Sequence, residues 1–474
     1  MTSTSAMRQD ILIAYLAVLG INLITLIIPV PVVVQMLVAT TATIYIGCYN
    51  GVPQALDTIT LKSDQSGSDG EPGANGAKSP RTHTNQEKMN RKDVYLFPVI
   101  GSVVLFSLYL TYKILPKIVL TVLVKVYFLL IGMFCLGDRF AQLTNLFLKG
   151  KQASEASSKK KEGDAEEPIV FTVNFFPLVS KIYDVLPASV ATYLFAPAEP
   201  KKADESKKDG KKKENDNKGG KPALEPTDYQ LPLTQTQAYC LAAAGVVGVW
   251  YILTGHWLSS NLFGIAFSIQ GIELIHLGSV LNGVILLSAL FFYDIFWVFG
   301  TDVMVTVAKN FDAPIKLLFP RVSMPNPAML GLGDIVIPGI FIAMMLRYDV
   351  AQILASGKSN KDDNMNSKSN SARSQRSSRA AGSGAASSDI VSKIKTWINL
   401  APYYHTCLIS YVFGLVATLV VMYTFEAAQP ALLYLVPACV GSVMVRAAIE
   451  GKLSNLINYE EADEEEKAQQ ASSS

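Results

Sequence analysis

Charge is scarce in this chain. Asp, Glu, Lys and Arg make up 17% of its 474 residues, against roughly 25% in ordinary soluble domains. Cysteine is also sparse. Cys48, Cys135, Cys240, Cys407 and Cys439 lie inside or at the ends of apolar blocks, so they read as buried thiols. That excludes a disulfide framework and a zinc site. The net charge is only +2, and no block interleaves basic with aromatic residues. Nucleic acid is thereby excluded as a partner. The two halves show no internal repeat, which counts against the inverted-repeat plan of a transporter.

Long hydrophobic runs are what the chain does have. Half of the residues are hydrophobic and the mean hydropathy is +0.28. They are gathered in uninterrupted blocks between very polar stretches, which excludes a soluble enzyme and a disordered or fibrous protein. A bilayer crossing needs about 20 mostly apolar residues. Nine spans are predicted, at 33–52, 94–114, 117–137, 238–255, 261–280, 282–303, 329–347, 403–425 and 429–447. The expected fold class is an all-α polytopic membrane protein with about nine transmembrane helices. A further apolar block, 11–30, follows Arg8 and Asp10 and is set off by Pro29 and Pro31. It reads as a signal sequence, an extra helix, or part of one kinked entry helix.

Seven regions follow from this pattern. Residues 1–32 form the N-terminal hydrophobic segment. Residues 33–148 hold three spans and a polar loop at 53–93. Residues 149–235 are a lysine-rich insert, and 236–347 hold four spans. Residues 348–400 are a Ser/Arg-rich loop, 401–450 hold the last two spans, and 451–474 are an acidic tail. The three long polar segments have the composition of disordered linkers. Within the second, 168–198 is more apolar and reads as an interfacial segment. Lysine and arginine concentrate in those three loops, which places them and the C-terminus in the cytosol. With nine spans, the mature N-terminus falls on the other side.

An ionisable side chain inside a bilayer is a functional candidate by default. The candidates are Lys125, Glu273, His276, Asp294, Asp302, Asp334 and His405, with Glu426 at a span end. Asp294, in the sixth span, and Asp334, in the seventh, are expected at matched depth, roughly 8–10 Å from the non-cytosolic face. Two close carboxylates share one proton. One can then polarise a peptide carbonyl while the other takes a proton from the attacking water. Tyr293 precedes Asp294 and could hydrogen-bond near the site. Gly331 and Gly333 clear space beside Asp334 for a second backbone. Pro430 cannot continue a helix from before it and leaves backbone groups free for an extended peptide. Glu273 and His276 share a helix face. They read as a polar pair between helices in preference to metal ligands. Lys125 is expected to snorkel or pair with an acid, and Asp302 to lie at the interface.

Three motifs in order resemble the signal peptide peptidase family of intramembrane aspartyl proteases, the relatives of presenilin. They are Tyr293-Asp294, then Gly331-Leu332-Gly333-Asp334, then the QPALLYLVPA run from Gln429. The likeness widens to 260–277, 291–320 and 328–343. The family commonly has Asn where Asp302 stands. The resemblance implies a nine-span protease of the endoplasmic reticulum membrane with a cytosolic C-terminus. It would cut type II-oriented membrane segments, notably signal-peptide remnants, using Asp294 and Asp334. Tyr293, Gly331, Leu332, Gly333, Gln429, Pro430, Ala431 and Leu432 would shape the site and receive substrate. It implies no cofactor and no metal. Its partners are membrane-spanning peptides and the lipid bilayer, with a homo-oligomer left open. The competing reading is an ion or proton-coupled transporter using the same buried acids.

Overall fold

The computed structural model of the protein describes residues 3–65, 91–114, 117–156, 170–174, 230–300, 313–321, 327–368, 401–425 and 430–461. The helices are α1 (Ser3–Ile27), α2 (Val32–Gln65), α3 (Arg91–Ile114) and α4 (Lys117–Ala156). After them come α5 (Gln235–Thr254), α6 (Trp257–Leu274), α7 (Val280–Phe299) and α8 (Gly333–Lys368). The chain closes with α9 (Pro402–Phe425), α10 (Leu432–Ile449) and the short α11 (Leu453–Ile457). Two antiparallel strand pairs complete the fold. β1 (Val170–Asn174) pairs with β2 (Gln230–Thr234), and β3 (Lys316–Phe319) pairs with β4 (Ala328–Gly331).

Each predicted span corresponds to a helix, and the block 11–30 is helical as well. Among the described residues, eight helices are long and apolar enough to cross a membrane. The protein is a mostly helical, multi-pass membrane protein. Two further long helices, α6 and α8, fall outside that set of eight because they carry more polar and charged residues, as their place in the middle of the bundle allows. A central helix faces protein on all sides, so it can carry polar residues that a lipid-facing helix cannot. On α6 these include Asn261, Ser268 and Glu273, all buried. On α8 every residue from Pro338 to Val350 is buried, Arg347 and Asp349 included. The rim helices do the reverse. Tyr95, Leu96, Val99, Val103 and Val104 on α3 are exposed, as a surface solvated by lipid requires.

Small residues let the central helices approach closely, the usual device where lipid removes the hydrophobic drive between helices. Ile272 of α6 lies between Gly47 of α2 and Gly339 of α8. A Cβ at Gly47 would meet it at 2.9 Å, and one at Gly339 at 2.5 Å. One continuous apolar core joins α1, α2, α6, α7, α8, α9 and α10. A second cluster joins α4, α5 and α6.

Local signals set the helix ends. Thr234 and Gln237 form a capping box at the start of α5, and Gly255 closes it with φ 60°, a conformation glycine adopts without penalty. Ser279 caps α7 by accepting from the Asn282 amide.

Several boundaries differ from those read in the sequence. The seventh span was expected from residue 329, but 328–331 is strand β4 and the helix begins at Gly333. An apolar run entering a helix does not reveal by itself that its first four residues pair with a distant strand. Helix α7 ends at Phe299, and residues 301–303 of the expected sixth span lie outside the described residues. Helices α2, α4 and α8 run past the expected span ends at 52, 137 and 347. Residues 170–174, expected within an interfacial segment, form β1 instead, and its partner β2 leads directly into α5. The rest of the insert 149–235, most of the loop 348–400, Asp302, Glu426 and Gln429 lie outside the described residues.

Candidate active site

The three motif segments come together from α7, from the β4–α8 junction, and from the start of α10. Asp294 sits on α7, five residues before its end at Phe299, and is 7% exposed. Asp334 is the second residue of α8. Asp294 lies more than one turn inside its helix, whereas Asp334 lies at a helix start that directly follows β4. The two are close enough for the charge of one to act on the other.

Each carboxylate meets backbone. The Leu432 amide donates to Oδ2 of Asp294 across 3.2 Å. Leu432 is the first residue of α10, and helix-initial amides have no partner in their own helix. The helix start also carries partial positive charge that favours a carboxylate. The donor expected to be free for a substrate at this position is therefore engaged by Asp294. Pro430 and Ala431, both buried, deliver Leu432 there. Because Pro430 has no amide hydrogen, the helix cannot be extended back through it by hydrogen bonding.

Asp334 is flanked by β4. The backbone of Gly331 lies beside its carboxylate. A Cβ at Gly331 would lie 3.3 Å from Oδ2, so a side chain there would crowd the carboxylate. Gly333 is exposed, and a Cβ there would meet only Ile337, at 3.7 Å. The Leu332 amide donates to the Ile315 carbonyl at 3.0 Å, prolonging the hairpin, and the Leu332 carbonyl starts α8 by accepting from Ile335 and Val336. Tyr293 stays within reach of the Asp294 charge. Its ring packs near Trp297, with centroids 6.3 Å apart, and its hydroxyl lies close to Gly101 of α3.

Among the described residues, one edge of the hairpin is covered and the other is open. Asn261 of α6 accepts from the Leu318 amide at 2.7 Å and donates to the Leu318 carbonyl at 2.8 Å. Leu318 is opposite Met329. Its backbone groups face Asn261, so this pair exchanges no backbone hydrogen bonds. By the alternation of an antiparallel ladder, the Met329 amide and carbonyl then face the outer edge of β4. The Met329 side chain is exposed as well.

Two partners were not foreseen. Arg139 of α4 donates to Oε2 of Glu273 at 2.6 Å and also to Asp138 and Gln270. Glu273 is thus in a buried ion pair, and the polar partner expected for it is Arg139. An arginine just past the predicted third span gave no sign of facing inward. Tyr411 of α9 donates to the backbone carbonyl of Asp334 at 3.3 Å. Among the described residues, no three His, Cys, Asp or Glu side chains converge as metal ligands would.

The pattern of the signal peptide peptidase family matches residues 81–463. The chain belongs to the signal peptide peptidase family. A signal peptide peptidase of Mus musculus is 34% identical over 393 residues, covering 82% of this chain and 78% of the relative. One of Homo sapiens is 33% identical over 402 residues, covering 84% and 78%. Intramembrane protease 2 of Caenorhabditis elegans is 38% identical over 243 residues, covering 49% of this chain and 45% of the relative. No solved structure matches. As a member of the signal peptide peptidase family the protein is an intramembrane aspartic protease, and the transporter reading is not favoured.

Proposed function

We propose that Asp294 and Asp334 are the catalytic pair of this protease. One observation carries the reading. The fold gathers Asp294, Asp334 and the Pro430–Leu432 turn, distant in sequence, around one point, with Leu432 bonded to Asp294. A pair of adjacent carboxylates holding a single proton can do both halves of peptide hydrolysis. The protonated one donates to the scissile carbonyl oxygen. The ionised one removes a proton from water as it attacks the carbonyl carbon, and the proton passes to the leaving amine.

The substrates we infer are type II-oriented membrane segments, notably signal-peptide remnants, in the endoplasmic reticulum membrane, with the C-terminus of the enzyme cytosolic. A helical peptide bond is shielded by its own hydrogen bonds, so the segment must unwind locally before it is cut. In lipid each exposed backbone group costs several kcal/mol unless it is re-paired. The outer edge of β4 at Met329 offers an amide and a carbonyl for that purpose, and an extended substrate would add there as a third strand. That places its backbone beside Met329, five residues before Asp334 along the chain.

The test is purified protein reconstituted with a labelled type II signal-peptide segment. Asp294→Asn and Asp334→Asn should each abolish cleavage. Asparagine keeps an oxygen that can accept a hydrogen bond, so both variants should fold. Residual cleavage near the wild-type rate in either one would remove that residue from the pair.

A further inference from the structure

Helix α1 lies outside the residues matched by the family pattern, and no role in the reaction follows from the motifs. Its packing is nevertheless that of an integral part of the bundle. Ile11, Ala14, Tyr15, Val18 and Asn22 are all buried, at a spacing that marks one helix face. Tyr15 reaches Gln142 of α4 at 3.4 Å, and Ile11, Ala14, Tyr15 and Val18 join the main core with α2.

Asn22 is the unusual residue on this face. It is 5% exposed, and a buried amide in a membrane helix is costly unless it is paired. Its Nδ2 donates to the Val18 carbonyl of its own helix at 2.8 Å. Its Oδ1 accepts from Nδ2 of Asn261 at 3.2 Å. Asn261, 1% exposed, is the residue that bonds both backbone groups of Leu318 of β3. An asparagine has two N–H donors. In Asn261 one goes to the Leu318 carbonyl and the other to Asn22. A continuous chain of hydrogen bonds thus runs from α1 through α6 to β3. β3 is paired in register with β4, which runs straight into Asp334.

We propose that α1 is a retained tenth membrane helix and that Asn22 is a positioning residue for the reaction. By taking the second N–H of Asn261, it fixes the plane of that amide. The amide in turn fixes the height of β3, and through the ladder the height of β4 against the dyad. A third strand docking on β4 inherits that register, so Asn22 governs which substrate bond is presented. Ten antiparallel crossings also put residue 3 on the same side of the membrane as the C-terminal α11. This rests on the proposed assignment of Asp334 and of β4 as the docking edge.

The experiment uses the full chain, purified and reconstituted with the labelled signal-peptide segment. The wild type, Asn22→Leu, Asn261→Leu and the double variant are compared, and products are sequenced by mass spectrometry. Intact mass should show residues 3–27 present in the active protein. Leucine is at home in a membrane helix, so Asn22→Leu should hold or raise the melting temperature. It should nevertheless lower kcat/KM by about five-fold, the scale of one interhelical hydrogen bond, and spread cleavage over neighbouring bonds. The double variant should be no worse than Asn261→Leu, because both act through one chain of contacts. Three results would overturn the proposal: an active enzyme lacking α1, a single wild-type cut made at full rate by Asn22→Leu, or additive losses in the double variant. Asp334→Asn runs alongside. If it still cleaves, the dyad assignment has failed, whatever Asn22 does.

Discussion

The hydroxyl of Tyr411 stands in for an amide that the chain cannot supply. It donates to the Asp334 carbonyl across 3.3 Å. In a regular helix that carbonyl would accept from the residue four positions on, which here is Pro338, inside α8. Proline has no N–H, so the carbonyl beside the candidate catalytic carboxylate would be orphaned in the middle of the bundle. Tyr411 is fully buried, and α9 brings its ring to that position.

Tyr411→Phe should therefore leave the fold intact but loosen the first turn of α8. The loss in stability is expected near 1 kcal/mol, the net worth of one buried hydrogen bond. Cleavage should slow by about three- to ten-fold through kcat, with KM little changed, since the position of Asp334 is what shifts. Steady-state kinetics in reconstituted membranes measure both. A change confined to KM would assign Tyr411 to substrate binding instead.

Pro430→Leu should be more severe. Leucine allows α10 to wind back by a turn, and the Leu432 amide would then point along its own helix. Asp294 would lose its donor, and the cleavage rate should fall by more than about ten-fold, the scale of a lost charge-assisted hydrogen bond. A melting temperature close to wild type, read beside the activity, separates this from misfolding. Full activity in Pro430→Leu would show that the α10 start does not have to stop there.

The Arg139–Glu273 pair predicts an asymmetry between single and double changes. Both side chains are almost wholly buried, at 4% and 9% exposure, with 2.6 Å between them. Removing one partner strands the other charge. Glu273→Leu should destabilise by about 3–5 kcal/mol, visible as a lowered melting temperature in detergent. Arg139→Met combined with Glu273→Leu should recover much of the loss, because two apolar groups leave no charge unpaired. Equal losses in the single and double variants would mean that Arg139 is held chiefly by Asp138 and Gln270.

Outside the membrane, Glu450 gives a pH dependence with a definite sign. Burial works against its ionisation. The Tyr403 hydroxyl at 2.9 Å, Arg446 and Lys452 outweigh it and hold the carboxyl below the usual glutamate value. A depressed acid contributes stability above its unfolded value, lost as pH falls through the folded one. Glu450→Gln should lower the melting temperature most at neutral pH, and the gap to wild type should close below about pH 4. The effect is small, at most about 1 kcal/mol, since the side chain is 27% exposed and solvent screens it. A gap that stays constant with pH would show that Glu450 acts through shape alone.

Hydrophobic run length determined most of the helical plan by itself. A bilayer leaves no alternative for some twenty apolar residues, so every predicted span corresponds to a helix. The motif residues Asp294, Asp334 and Pro430 were also named from the sequence, because chemistry-bearing residues stand out in an apolar stretch, whereas Leu432 was named only through the family resemblance. Tertiary structure decided what those residues touch. Leu432 bonds to Asp294 from 138 positions away, Arg139 to Glu273 from 134, and Asn22 to Asn261 from 239. Partners so distant leave no periodicity in the sequence. The same holds for β4, where apolar residues entering a helix become a strand because β3 and Asn261 are there to receive them. It holds for α1 too. Its composition suits a signal sequence or a retained helix, and its packing against α2 and α4 with the Asn22–Asn261 contact is what the proposal of a retained helix rests on.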